Sequence, residues 1–220
     1  MHYNPKYCLV GKTVRTIMTF RKYNLDEIRK NLPALSKPSD TNKTILIILS
    51  GLPGTGKSHL ANIIADSLPI TIIETDFIRR ALFKNPYYTG TENAAVCSVC
   101  HALIEELLIS NISVLLDATN LLRKNRKRLY RIAENSDANV LLVALTAPQD
   151  IVKDRLDRRT SKPKPKNNSS ADISVYDKLK ETAQPILRQH YIIDSSLDIY
   201  PVLHKILRKA RTMLNRHAIT

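Results

Sequence analysis

From Thr44 onwards, short apolar runs alternate with longer stretches in which apolar residues recur at helical spacing. Five runs have the length and composition of buried strands, and they cover 45–49, 70–73, 114–116, 140–145 and 191–193. Helices are predicted at about 57–67, from near 76, and at about 92–109, 123–134, 149–159 and 174–187, with a terminal helix after the fifth strand. Alternating strands and helices are typical of a parallel sheet covered on both faces. The pattern therefore predicts an α/β fold, a five-stranded parallel sheet flanked by helices.

The two ends of the chain depart from this alternation. Residues 1–42 are predicted to form a basic N-terminal extension and linker. Within it, Asn24-Leu25-Asp26-Glu27 resembles a capping box that opens a short helix ending before Pro33. The α/β domain is expected to span 43–200, and 201–220 is expected to form a basic C-terminal helix.

Composition excludes several classes of protein. No apolar run in the chain approaches the ~18 residues that a membrane span needs, so no membrane contact is expected. Three cysteines cannot build a disulfide framework, which favours a reducing compartment. The first 25 residues contain no acid, as in a mitochondrial presequence, but Pro5 and poor helical periodicity argue against one. We therefore expect a cytoplasmic protein.

A glycine-rich turn follows the first predicted strand and opens the first predicted helix. Its sequence, Gly-Leu-Pro-Gly-Thr-Gly-Lys-Ser at 51–58, fits the G-x-x-x-x-G-K-[ST] pattern at every required position. Backbone N–H groups of such a loop wrap a phosphate, Lys57 would bridge the β- and γ-phosphates, and the Ser58 hydroxyl would bind Mg²⁺. This segment, the phosphate loop, predicts an NTP site. The expected nucleotide-binding residues are Gly51, Pro53, Gly54, Thr55, Gly56, Lys57, Ser58 and His59.

Two acidic residues follow two further predicted strands. Asp76 comes just after the second strand with Arg79 one helical turn later, and Asp117 ends the third. Because the carboxyl ends of parallel strands share one edge, Asp76 should face the γ-phosphate region and could take a proton from an acceptor hydroxyl. Arg79 could hold an anionic acceptor or the carboxylate itself, and Asp117 could reach Mg²⁺ through water. The alternative is a helix-capping aspartate with a surface arginine.

Three motifs in order carry a family resemblance. Gly-Leu-Pro-Gly-Thr-Gly-Lys-Ser, then Asp-x-x-Arg, then Leu-Leu-Asp-Ala-Thr-Asn resemble the P-loop kinases of the polynucleotide-kinase, zeta-toxin and chloramphenicol-phosphotransferase type, over about 44–200. The resemblance implies a P-loop NTPase fold like that of nucleoside-monophosphate kinases, with ATP and Mg²⁺ as cofactors. It implies that Asp76 is the general base, Arg79 the acceptor-side arginine and Asp117 the Walker-B-like acid.

The same resemblance assigns arginines to a lid over the nucleotide. Arg155 and Arg159 match the lid arginines that clamp the γ-phosphate, although Arg158 competes with Arg159 for that role. The chain departs from the family at His59, where a second Thr or Ser is usual. It also departs at 161–170, which lengthens the lid segment and adds three lysines, Lys162, Lys164 and Lys166.

Charge bears on the acceptor. The 34 Lys and Arg residues exceed the 20 Asp and Glu residues and leave a net charge of +14. Residues 45–122 carry 4 basic and 7 acidic side chains, whereas 123–169 carry 13 and 5. A phosphate backbone could contact 123–131 and the lid lysines, so single-stranded nucleic acid is a possible partner; the alternative is a solvated helix face.

We therefore expect a phosphotransferase, an ATP-dependent kinase that transfers the γ-phosphate to an acceptor hydroxyl. The acceptor is either a small polar metabolite, which the resemblance favours, or a polynucleotide 5′-hydroxyl, which the charge favours. The alternative function is an NTP-hydrolysing protein that binds nucleic acid or a partner with little phosphotransfer. Acids at both Asp76 and Asp117 argue against that alternative.

One motif predicts no function. Cys97-Ser98-Val99-Cys100-His101 has the spacing of haem attachment but lies inside a predicted helix. Zinc is equally disfavoured, because Cys8 and the scattered histidines offer no second pair of ligands. We expect Cys97 and Cys100 to be core residues.

Overall fold

The computed structural model describes residues 25–32, 35–39, 43–160 and 173–215, with the backbone alone at 159 and 160. Five parallel strands form one sheet in the order β2-β3-β1-β4-β5. The strands are β1 (Ile45–Ser50), β2 (Thr71–Glu74), β3 (Val114–Asp117), β4 (Asn139–Thr146) and β5 (Tyr191–Asp194). This confirms the predicted fold class.

Eight helices are present in the described part of the chain. They are α1 (Leu25–Lys30), α2 (Lys57–Ser67), α3 (Thr75–Leu82), α4 (Gly90–Ile109), α5 (Arg123–Asn135), α6 (Gln149–Thr160), α7 (Ile173–Thr182) and α8 (Tyr200–Leu214). None of these helices is long and apolar enough to cross a membrane.

The sheet is buried on both faces because its strands are apolar at successive positions. Every residue of β1 is buried, and its side chains alternate between two cores. Leu46 and Ile48 pack with residues of α4 and α5 on one face. Ile45 and Ile47 pack with residues of α2 and α8 on the other. Burial on both faces is what near-continuous apolar strands require, and it places β1 at the centre of the molecule.

Strand register brings the carboxyl ends together at one edge of the sheet. Glu74 at the end of β2 is opposite Asp117 at the end of β3. The segment after β3 is hydrogen-bonded to the end of β1, since Gly51 N–H donates to Thr119 O at 3.0 Å and Asn120 Nδ2 donates to Leu49 O at 2.7 Å. The phosphate loop therefore starts beside the residues that follow β3.

The predicted helix over 174–187 is wrong at its carboxyl end, since α7 stops at Thr182. Pro185 disfavours helical backbone at Gln184. The carbonyl oxygens of Gln184 and Pro185 instead accept hydrogen bonds of 2.9 and 2.7 Å from Arg126 Nη2. The segment after α7 therefore runs extended against the start of α5.

The described part of the predicted N-terminal extension packs on the sheet domain. Ile28 on α1 and Leu32 after it are buried in the core that contains α4 and α5. Arg29 is paired with Glu106 of α4, and Ser39 N–H donates to Asn111 O at 2.7 Å. Residues 1–24 lie outside the described residues. The division of the chain at 42 and 200 stays a prediction.

Candidate active site

The phosphate loop connects β1 to α2 by a tight turn that needs glycine at specific positions. A Cβ on Gly51 would lie 2.6 Å from the backbone oxygen of Leu145, which cannot move without disturbing β4. Gly56 adopts φ +90°, a left-handed conformation that side chains disfavour. The glycines of the motif are therefore required by the backbone path itself.

The loop closes on itself through hydrogen bonds to one carbonyl. Lys57 Nζ donates to Leu52 O at 2.9 Å, and Thr55 Oγ1 donates to the same oxygen at 2.8 Å. The Lys57 side chain thus folds back over the phosphate loop. Gly56 supplies no side-chain cap to α2 and the first turn of α2 has no acid, so its N–H groups and helix dipole favour an anion there. Ser58 is exposed in that same turn.

On the β3 side, carboxylates stand at the ends of two neighbouring strands. Asp117 is buried, with 5% of its surface exposed, and lies in register with Glu74. Burial and the neighbouring charge of Asp117 together raise the pKa of Glu74 to about 7, although Arg80 acts in the opposite direction. Sequence analysis gave Glu74 no role, although its place at the end of a parallel strand was a usable signal. The donors are hard oxygens of the kind that Mg²⁺ prefers.

Asp76 lies in the first turn of α3, where it is half-buried. Glu74, the residue at the N-cap, makes no side-chain capping bond to the helix. Asp76 therefore lies at the carboxyl edge of the sheet, the edge that also carries the phosphate loop.

Arg79, one turn after Asp76, is buried with 7% of its surface exposed. Its Nη2 donates to Asn93 Oδ1 at 2.7 Å, its Nη1 lies 3.9 Å from Glu92 Oε2, and its guanidinium carbon lies 4.5 Å from the Tyr88 ring centroid. Tyr88 has φ +58°.

The Arg79 guanidinium is only partly satisfied. Among the described residues its Nε and Nη1 have no hydrogen-bond partner. Leaving a buried donor unsatisfied costs about 1–3 kcal/mol, and more when the group is charged. These two N–H groups could therefore donate to a bound anion. The burial of Arg79 also contradicts the alternative in which it is a surface arginine.

Arg155 of α6 lies on the opposite side of the phosphate loop. Its Nη1 donates to Ser195 Oγ at 2.8 Å and to Gly54 O at 3.4 Å, and its Nη2 donates to Ser195 O at 2.8 Å. These bonds join the loop to the turn after β5. Arg158 is exposed and pairs with Asp154 at 2.9 Å. The side chain of Arg159 lies outside the described residues, as do 161–170 with Lys162, Lys164 and Lys166.

A cleft of about 470 Å³ opens beside Arg155. It is bounded by the end of the phosphate loop, the first turn of α2 and the segment that connects β5 to α8. Its lining includes Gly56, His59, Leu145, Arg155, Ser195 and Tyr200. The phosphate loop therefore lies between this cleft, towards β5, and the Asp76–Arg79 turn, towards β2.

The Cys97–His101 motif lies on α4, the helix that also carries Asn93, and the positive charge of Arg79 acts on both thiols. Cys97 is half-buried, so only Cys100 of the two is a core residue. Cys100 is buried in the core, and burial raises the pKa of the Cys97 and Cys100 thiols. In the part of the chain that the structure describes, no cluster of three His, Cys, Asp or Glu side chains could hold a metal ion.

The sequence matches the AAA domain family over residues 46–186, more than half of the chain. The chain belongs to this family. The match covers the phosphate loop, Asp76, Arg79, Asp117 and α6, and it confirms the resemblance to P-loop kinases.

Relatives and solved structures agree with this membership. The chain is 30% identical to the L-seryl-tRNA(Sec) kinase of Methanococcus maripaludis over 113 aligned residues, a segment that covers 49% of this chain. The aligned segment spans only 43% of that relative's length.

Two solved structures share the fold. The structure of Kti12 from Chaetomium thermophilum, in complex with ADP-AlF3, matches with a TM-score of 0.62 at 16% identity, over 78% of this chain and all of that one. A gluconokinase from Sinorhizobium meliloti matches with a TM-score of 0.53 at 22% identity, over 79% of this chain and 92% of that one. The protein is a kinase-like P-loop NTPase with kinases among its relatives.

Proposed function

We propose that the protein is an ATP-dependent kinase that transfers the γ-phosphoryl group to an acceptor hydroxyl. The observation that carries this proposal is the buried Arg79, one helical turn from Asp76, whose Nε and Nη1 have no hydrogen-bond partner in the part of the chain that the structure describes. Both residues stand at the sheet edge that carries the phosphate loop. Hydrolysis of an NTP by water needs no such second anion site, whereas a kinase must hold an acceptor next to the nucleotide.

In this proposal each side chain has one task. Lys57 holds the β- and γ-phosphates and stabilises the charge that spreads over the transferred group. Asp76 accepts the proton of the attacking hydroxyl. Arg79 donates to an anionic group of the acceptor and fixes its direction of attack.

The cleft beside Arg155 is proposed to take the nucleoside part of ATP. Arg155 already holds the phosphate loop against Ser195, so we propose that it keeps the loop in position next to the base. Arg159 is proposed to contact the γ-phosphate.

The donors at the edge of the sheet fit Mg²⁺. The exposed Ser58 hydroxyl and the Asp117 carboxylate would hold the ion, with Glu74 next to Asp117. When bound, the ion supplies positive charge to the phosphate oxygens.

The acceptor falls into one of two classes. The name of the Methanococcus relative specifies a tRNA-borne acceptor, and that of the Sinorhizobium structure specifies a sugar acid kinase. A polynucleotide and a small polar metabolite therefore both stay in the proposal.

The experiment is a transfer screen with ATP labelled at the γ-phosphate. Oligonucleotides with a 5′-hydroxyl, nucleosides, sugars and aminoglycosides are offered in parallel. The proposal predicts that label appears in at least one acceptor class and that transfer disappears with Lys57→Ala. Label found only in free phosphate would favour the NTP-hydrolysing alternative.

A further inference from the structure

The exposed face of α5 carries a row of cations. Angles of about 100° per residue place five basic side chains on one arc of about 140°. All five are exposed, and they are Arg123, Lys124, Lys127, Arg128 and Arg131. We call these five residues the α5 basic face. Arg126, the sixth basic residue of the run, is buried on the opposite side.

The α5 basic face lacks ion-pair partners in the part of the chain that the structure describes. None of its five side chains forms an ion pair with a residue in the described ranges. Glu134 is the one acid on the helix and stands in its last turn. At the edge of the face, Arg188 lies over the ring of Tyr130, 4.8 Å from its centroid, and adds another exposed cation.

The order of charges along α5 opposes the helix dipole. The first turn contains Arg123 and Lys124 and no acid, and the last turn contains no basic residue. Cations are unfavourable and anions favourable at a helix N-terminus, because the helix dipole is positive there. The start of α5 therefore concentrates positive potential, which favours an anion there.

The helix is held at a fixed place beside the acceptor side. It begins six residues after Asp117, at the sheet edge that carries the site. Arg126 Nη1 donates to Asn120 O and Leu121 O at 2.8 and 2.7 Å, and its Nη2 donates to the two carbonyls after α7. These buried bonds anchor the α5 basic face relative to the residues that follow β3.

From this charge and this position we infer that the α5 basic face binds the phosphodiester backbone of a single-stranded nucleic acid and leads it towards Asp76 and Arg79. In naming the acceptor class, the inference rests on the proposed function. From Arg123 to Arg131 the helix rises about 12 Å. A stacked single strand, with the roughly 3.4 Å axial rise per phosphate of duplex DNA, presents three to four phosphates over that length.

A second basic helix provides a matched control. Lys205, Arg208 and Lys209 are exposed on α8, which packs on the other face of the sheet through Leu203 and Ile206. Replacing these three residues removes the same charge as replacing Lys124, Lys127 and Arg131. The two triple variants therefore separate a local surface from the net charge of the protein.

The experiment measures equilibrium binding of labelled 20-mer RNA and, separately, DNA of the same sequence, at several salt concentrations. Three to four contacts give a slope of about −2 to −3 in log K against log salt, or about a twenty- to fiftyfold loss for a fourfold rise in salt. Lys124→Ala with Lys127→Ala and Arg131→Ala should flatten the slope by about two. The α8 triple variant should keep the slope within about half a unit, and both variants should keep ATP affinity and melting temperature.

Several results would overturn the inference. A flat salt response of the unmodified protein, equal losses in the two triple variants, or binding to anionic lipid vesicles but to neither oligonucleotide would each do so. Because binding needs no phosphotransfer, salt-dependent binding by a protein that transfers no label would support the surface and contradict the proposed function. Transfer to sugars alone, with no oligonucleotide binding, would support the proposed function and contradict the nucleic-acid surface.

Discussion

The two sides of the phosphate loop are built by different means. On the nucleotide side, towards β5, the backbone defines the site: Gly51 fits against a carbonyl of β4, and Lys57 bonds to a carbonyl of its own loop. On the acceptor side, towards β2, side chains define it, since Arg79 is oriented by Tyr88 and Asn93.

This difference separates phosphate binding, which is general to the loop, from acceptor binding, which is specific to this protein. A backbone cradle for phosphate can be shared by any protein that has the loop. Side chains of the segment before α4 and of the first turn of α4 can change while the sheet stays the same. We therefore expect changes on the nucleotide side to stop all turnover and changes on the acceptor side to alter transfer selectively.

Lys57→Ala should have the largest effect. It removes the charge that stabilises the transferred group, and loss of one such electrostatic contact costs about 10²–10³ in rate or more. ATP turnover and transfer, measured in the same assay, should both fall to background. Lys43→Ala removes a lysine whose Nζ lies 3.1 Å from Asp137, and it should leave both rates unchanged. Normal turnover in Lys57→Ala would remove the phosphate-loop assignment.

Asp76→Asn should lower transfer by ~10²-fold or more, as expected for loss of a general base, and leave ATP affinity within about twofold. Steady-state kinetics and equilibrium ATP binding measure the two quantities. Asp66→Asn, at an exposed acid of α2, is the matched control. A loss of ATP affinity with transfer preserved would make Asp76 a structural or metal residue.

Arg79→Lys should raise the KM for the acceptor about tenfold, because one charged hydrogen bond is worth about 1.5–3 kcal/mol and lysine lacks the guanidinium fork. The KM for ATP should not change. Arg80→Lys makes the same substitution at the exposed neighbouring position and should be silent. If the KM for ATP rises instead, Arg79 serves the nucleotide and the two sides are not separable.

The smallest effect concerns His101, on the helix that supports the acceptor side. Burial, together with the positive charge of Arg128, lowers the pKa of His101 to about 4. Because the folded pKa lies below the unfolded value, this histidine costs nothing above about pH 6.5 and weakens the fold as pH falls from there towards about 4.

The measurement is urea unfolding at pH 8 and pH 5.5. Between pH 8 and pH 5.5, the free energy of unfolding of the unmodified protein should fall by about 1 kcal/mol more than that of His101→Gln. His204→Gln, at an exposed site on α8, should lose as much stability between pH 8 and pH 5.5 as the unmodified protein does. Equal losses of stability in all three proteins would contradict the lowered pKa of the half-buried His101.

The sheet was predictable because apolar periodicity reports burial directly. Strands such as β1 are apolar at every position, so both the number of strands and their alternation with helices follow from the sequence. The end of α7 was predicted too late although Pro185 is a local signal against helix at Gln184. The hydrogen bonds from Arg126 to the carbonyls of Gln184 and Pro185 add a long-range effect that the sequence does not show. Packing of Ile28 and Leu32 on the sheet domain is likewise a long-range effect.

The candidate site divides in the same way. The phosphate loop is a local motif whose residues are consecutive, so its position between β1 and α2 could be predicted in full. The burial of Arg79 depends on Tyr88 and Asn93, which only the fold brings to it. The bonds of Arg155 to Ser195 depend on the neighbouring position of β5, which the sequence does not show. The contact of Arg155 with the γ-phosphate was implied by the family resemblance and stays a prediction.

The ratio of label in the acceptor to label in free phosphate tests most directly whether the nucleotide side and the acceptor side have separate roles. It is measured for the unmodified protein and for Asp76→Asn, with labelled ATP and the best acceptor from the screen. We predict that most label enters the acceptor with the unmodified protein, and that Asp76→Asn lowers the ratio of transferred to free phosphate by at least ~10-fold, because only transfer needs the acceptor hydroxyl deprotonated. An unchanged ratio would contradict the account.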